Sequence, residues 1–213
     1  MKKFNPIFFI LLTILHSCGR HTAKDNPVVS NERFNDRIIQ LANFTGNADS
    51  CRKALVYLDS LTAKDSNNFL SYYNQLMFIS TLGKFDRAVS AINHCIRLSP
   101  GAQDLYLLGG VFYEKTGDTS SARKYFQQSL TIINTVLDTM SAHHPDYEML
   151  GINKAINLIM LDDSSKGYAL LRSVSKRQND PEFKAGPLSF LKKNKKEIVD
   201  ALTGSKHSQE THR

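Results

Sequence analysis

The chain of 213 residues has no tryptophan and only three cysteines, and it lacks every short motif that common catalytic chemistries require. Three cysteines cannot build the disulfide framework of a small secreted scaffold. There is no CxxC, HExxH, GxSxG or phosphate-cradling glycine loop, which removes the usual signatures of redox, metallohydrolase, serine-hydrolase and nucleotide chemistry. His143-His144 comes nearest to a metal pair, but its turn offers no third ligand except Asp146, and Asp146 reads better as the N-cap of the next helix. Asp162-Asp163-Ser164-Ser165 reads as a turn and helix start, without the second acidic cluster of a calcium loop. Gly109-Gly110 lies inside a helical pattern, where a close-packing pair is expected rather than a phosphate cradle. The expectation is a non-enzyme with no cofactor and no metal. Long apolar runs are absent too. The stretch from Ile7 to Leu15 falls well short of the ~20 residues a spanning helix needs.

That short stretch follows Met1-Lys2-Lys3 and leads into Leu15-His16-Ser17-Cys18. A basic start, a brief apolar core and a small residue before the cut describe a secretory signal peptide. Leu15 and Ser17 before Cys18 resemble the lipobox of bacterial lipoproteins. The resemblance implies removal of residues 1–17, lipid on the thiol and amine of Cys18, and a mature protein held on a membrane. Residues 18–30 are polar, include Pro27 and show no apolar period, as a tether should. Gly19 is not the Asp that marks retention at the inner membrane in lipoproteins, so the resemblance points to the periplasmic face of the outer membrane.

Beyond the tether an internal period of 34 residues organises the chain. Ala54, Ala88 and Ala122 keep that step, as do Leu58, Ile92 and Phe126, and Leu61, Cys95 and Ser129. Within each unit the marks are spaced by four and then three, which places them on one helical face. Gly83 and Gly117 share the step, each in the turn before its alanine.

The segment from Leu107 to Asp118 resembles the tetratricopeptide repeat: a small residue where two helices cross (Gly110), an aromatic (Tyr113), a Gly-Asp turn, then Ala122 and Phe126. The preceding unit supplies Ile79, Gly83, Ala88, Ile92, Cys95 and Pro100, with Leu76 at the crossing. The resemblance implies an all-α fold, an α-solenoid of about four helical hairpins with a C-terminal capping helix. Such hairpins bury one face only against a neighbour. The first hairpin is expected at 31–42 and 50–61. The last carries Gly167, Leu171 and Val174, but Ala122 to Gly167 is 45 residues, eleven beyond the period. The excess reads as a second helix prolonged to about Met140, with Ile133, Val136, Leu137 and Met140 as an apolar stripe that either packs internally or meets a partner. A closing helix is expected over 188–202, a repeat domain over 31–203, and a disordered tail over 204–213.

In this family the first helix of each hairpin lines the binding groove. By register that face holds Leu70, Tyr73 and Met77, then Asp104, Leu107 and Val111, then Met149, Ile152 and Ile156. These are mostly apolar, and the Lys, Asn and Arg of a carboxylate clamp are missing. Such a groove accepts a partner helix or strand, or the chain's own closing helix with Leu188, Leu191, Ile198 and Leu202. Cys51 and Cys95 sit at helix positions about 15 Å apart, too far to bridge.

The chain carries a formal net charge of +7, and residues 172–196 concentrate it in eight Lys or Arg against Asp180 and Glu182. The simpler reading is the solvated face of a capping helix; the other is contact with anionic headgroups or an acidic partner. Nucleic acid is not an expected partner in this compartment. Taken together these features predict a membrane-tethered, non-catalytic scaffold that binds envelope proteins. The alternative is an inhibitor or immunity lipoprotein directed at a periplasmic toxin or lytic enzyme.

Overall fold

The computed structural model describes residues 47–177 and 181–204, the side chains of 181–185 excepted. The signal peptide, Cys18, the tether, the helix expected at 31–42 and the tail after Gly204 lie outside the described residues. Within them all regular structure is helical: α1 Ala48–Lys64, α2 Phe69–Thr81, α3 Phe85–Leu98, α4 Gln103–Thr116, α5 Thr119–Thr139, α6 Tyr147–Met160, α7 Ser164–Arg177, α8 Pro181–Phe190 and α9 Lys195–Thr203. The fold is all-α, built of consecutive packed helical hairpins as in a tetratricopeptide-like α-solenoid. Two compact units are distinguished, α1–α3 ending at Pro100 and α4–α9 from Gly101.

In the first unit α1 packs on α2, and α2 and α3 form a hairpin. Asn47 starts α1, its side chain accepting the N–H groups of Asp49 and Ser50 at 2.8 and 3.2 Å. The helix thus begins two residues before the start expected at 50, because the Asn oxygen satisfies donors that would otherwise be orphaned. Asn68 caps α2 in the same way through Ser71. The thiols of Cys51 and Cys95 are buried and in no disulfide among the described residues.

The second unit contains the hairpins α4–α5 and α6–α7, with α5 packed on α6, α8 on α7 and α9 back on α4. Gly117 closes α4 at φ +85°, a left-handed conformation that a side chain would strain, and Asp118 then caps α5 through Ser121 at 2.9 Å. That hydrogen bond holds the Asp118 carboxyl below the usual range.

The crossing marks behave as the repeat register requires. Ala88 and Ala122 have no exposed surface. A methyl group on Gly110 would lie 2.5 Å from the Phe126 ring, so the absent side chain of one mark makes room for the aromatic of the other. In the last hairpin the positions are exchanged: Ala155 stands on α6, and Gly167 stands where the earlier units have alanine. A methyl on Gly167 would lie 2.7 Å from the Ala155 carbonyl oxygen.

α5 runs to Thr139, as the eleven extra residues suggest. Ile133 of its stripe is fully buried, whereas Val136, Leu137 and Met140 are half-buried. Asp146 does occupy the N-cap position of α6, but its side chain makes no capping bond; instead its N–H donates to Nδ1 of His144 at 3.1 Å.

The closing helix expected over 188–202 is two helices. Leu191 and Lys193 donate to the carbonyls of Leu188 and Phe190, tightening the end of α8 into three-residue turns. Asn194 then opens α9 with a capping box, accepting the Glu197 N–H at 3.0 Å while the Glu197 carboxylate accepts the Asn194 N–H at 2.7 Å. Leu188, expected to point inward, is 42% exposed.

Candidate protein-binding surface

The nine residues assigned to a partner-binding face divide sharply in the structure. On α2, Leu70 is 43% exposed, Met77 is half-buried, and Tyr73 is buried with its ring stacked on Phe69 at 5.7 Å between centroids. On α4 and α6, Leu107, Val111, Ile152 and Ile156 are core. They share one buried cluster with Phe190 of α8 and Ile198, Val199, Ala201 and Leu202 of α9. Met149 is partly buried at the edge of the same cluster. These five residues are therefore not an open groove: four of them are buried, and the cluster that holds them takes in residues of the chain's own α8 and α9.

Two ion pairs seat α9. Lys115 Nζ lies 2.9 Å from Asp200 Oδ1, with both side chains about four-fifths buried, and Lys195 Nζ lies 3.2 Å from Glu114 Oε1. Lys195 also reaches Asp162 at 3.8 Å. A buried pair contributes little net stability against desolvation, but it penalises any other register, because a shifted helix would leave one charge unpaired. The apolar face of α9 supplies the attraction, and Glu114, Lys115 and Asp162 fix where it lands.

Beside this apolar seat lies a polar network that fastens three helices. Ser129 Oγ donates to the Gln103 carbonyl at 2.8 Å, Asn157 Nδ2 donates to Ser129 Oγ at 2.9 Å, and Asn153 Nδ2 donates to Gln103 Oε1 at 3.3 Å. All four residues are buried. Ser129 stands at the small third mark of the repeat, so its hydroxyl fits where a larger polar side chain would not. In sequence these residues look like ordinary polar positions; only their meeting across α4, α5 and α6 shows their role.

Asp104 is buried in the first turn of α4. Loss of hydration pushes its carboxyl up to about 6, opposed by hydrogen bonds from its own N–H and that of Leu105. It is not presented for a partner. The Tyr125 ring lies tilted against Tyr106 and edge-on to Tyr113, with centroids 5.8 and 4.9 Å apart, and burial together with the Tyr113 hydroxyl raises it to about 12. At the histidine turn, no three His, Cys, Asp or Glu side chains among the described residues are grouped to hold a metal ion.

Against this geometry, the family model for the tetratricopeptide repeat matches residues 70–101 and 104–135. These two segments are tetratricopeptide repeats. The matched segments cover α2–α3 and most of α4–α5, the two hairpins in which Ala88 and Ala122 are buried at the crossings. The α6–α7 hairpin lies outside the match; its long approach from α5 and its exchanged Ala155 and Gly167 depart from the pattern. A search among curated proteins returned no match. Tetratricopeptide repeats generally form non-catalytic surfaces that bind other proteins.

Proposed function

We propose that this protein is a membrane-tethered scaffold, held by lipid on Cys18 and binding an envelope protein through the α2 face of its first unit. The observation that carries the binding half is the pair of matched repeats, which supply hairpins built for protein contact. Since Leu107, Val111, Ile152 and Ile156 are buried in the core to which α8 and α9 contribute, the accessible part of the expected face is Leu70 and Met77, flanking Tyr73. An exposed leucine beside a half-buried methionine offers an adaptable apolar contact of the kind that accepts a partner helix or strand. The tether rests on the lipobox-like Leu15-His16-Ser17-Cys18.

Cys18→Ala tests the tether, because only a thiol at this position accepts a diacylglyceryl group. The expected result is an uncut chain that takes up no labelled fatty acid, whereas the parent protein is labelled and co-isolates a partner from solubilised envelope. Equal labelling of variant and parent would remove the anchor from the account and leave the repeat surface standing.

A further inference from the structure

We infer that the corner formed by the α8–α9 turn and the adjoining side of α7 is a contact surface for anionic lipid headgroups. This surface is distinct from the repeat face and does not depend on the lipid at Cys18. Its members are Leu188, Lys192, Lys193, Lys196, Arg172 and Lys176.

The structure brings these residues together. Lys192 and Lys193 lie in the turn between α8 and α9, Lys196 lies in the first turn of α9, and Leu188 lies one turn before Lys192. The Tyr168 hydroxyl donates to the Lys193 carbonyl at 2.5 Å, fastening that turn to α7. Arg172 and Lys176 follow Tyr168 at four-residue steps, so they continue along the same side of α7. All five cations except the half-buried Lys193 are exposed.

Neighbouring charges have other engagements. Lys195 turns to Glu114 and Asp162, and Arg177 is paired with Glu148. The Glu197 carboxylate is drawn onto the Asn194 backbone N–H in the capping box. Among the described residues, none of the five cations of the corner meets a carboxylate within ion-pair distance.

Two features go beyond a solvated capping face. Lys196 sits in the first turn of a helix, where the macrodipole disfavours a cation, and no partner within the described residues compensates it. Leu188 is one of three large apolar side chains exposed among the described residues, and it stands within a turn of two lysines. An exposed apolar side chain with long amphipathic cations a turn away is the composition that enters the headgroup boundary. The cations are mostly lysines, hydrated point charges without the planar fork of arginine, which suits diffuse phosphate-bearing lipid better than a carboxylate in a protein groove.

The test uses the chain from residue 18 onward carrying Cys18→Ala, so that neither an acyl chain nor residues 1–17 contribute. Its binding is measured by co-sedimentation with vesicles of phosphatidylcholine alone and of phosphatidylcholine with 30 mol% phosphatidylglycerol, taking roughly fivefold in affinity per lysine near such a surface. The expected result is binding to the anionic vesicles that weakens with salt, with little binding to the neutral ones. Lys192→Glu, Lys193→Glu and Lys196→Glu together should lower it by about a hundredfold or more. The charge-matched set Lys53→Glu, Lys64→Glu and Lys124→Glu, also exposed, should change it by no more than a few-fold. Absence of preference for anionic vesicles would overturn the inference and favour an acidic protein as the occupant. Equal loss in both triple variants would also overturn it, since net charge rather than this corner would then be responsible.

Discussion

Gly167→Val is expected to lower the stability of the protein by at least about 3 kcal/mol, the upper end of the overpacking range. The first added carbon would already lie 2.5 Å from Ile159 Cγ1 and 2.7 Å from the Ala155 carbonyl oxygen. The isoleucine could turn, but a backbone oxygen moves only if α6 and α7 separate, and the core they share with α9 would open with them. Gly101→Val is the control. A side chain there meets nothing within 4 Å, so its effect should stay within about 0.5 kcal/mol. Chemical unfolding followed by far-UV circular dichroism measures both, and a Gly167→Val midpoint equal to that of the parent would refute the close crossing.

Asp104→Asn should do the reverse at neutral pH and stabilise the protein by up to about 3 kcal/mol, taking about 1.4 kcal/mol per pH unit between the ordinary carboxyl and the native one. The native carboxyl is raised, to about 6 from 3.8, so the native state holds its proton after the unfolded chain has released its own. The contribution is fully present below pH 4 and is lost as pH rises through 6. Asparagine resembles the protonated acid and carries no charge to desolvate. Stability measured from pH 4 to 7.5 should therefore fall in the parent relative to the variant and then level off. Parallel curves would show that Asp104 is hydrated in the native protein.

The repeat was legible in the sequence because its marks are steric. Gly110 against Phe126, and alanine at 88 and 122, leave a small-large pattern that survives changes of surface. The prolonged α5 was legible for a related reason, since Ile133, Val136, Leu137 and Met140 continue a helical period past the expected end. The α8–α9 break was not. Leu188, Leu191, Ile198 and Leu202 keep a plausible helical spacing across it, and the Asn194–Glu197 capping box lies within a run of lysines that a solvated helix would also show. The filling of the α4 and α6 face was beyond reach for a different reason. It depends on pairs such as Lys115–Asp200, 85 residues apart, and on the network from Gln103 to Asn157, neither of which has a local signature. Register names the residues of a helix face, but it does not say what covers them.

In the proposed arrangement α9 packs on α4, within the core that α4 and α6 share, and the α2 face meets a partner. Site-specific photo-crosslinking in intact envelopes tests it most directly, with a photoreactive amino acid placed singly at Leu70, Met77, Leu107 or Ile152. Positions 70 and 77 should yield an adduct with one envelope protein, while 107 and 152 should yield only crosslinks within the chain, to residues of α8 or α9. Intermolecular adducts from 107 and 152, with none from 70 and 77, would contradict the account.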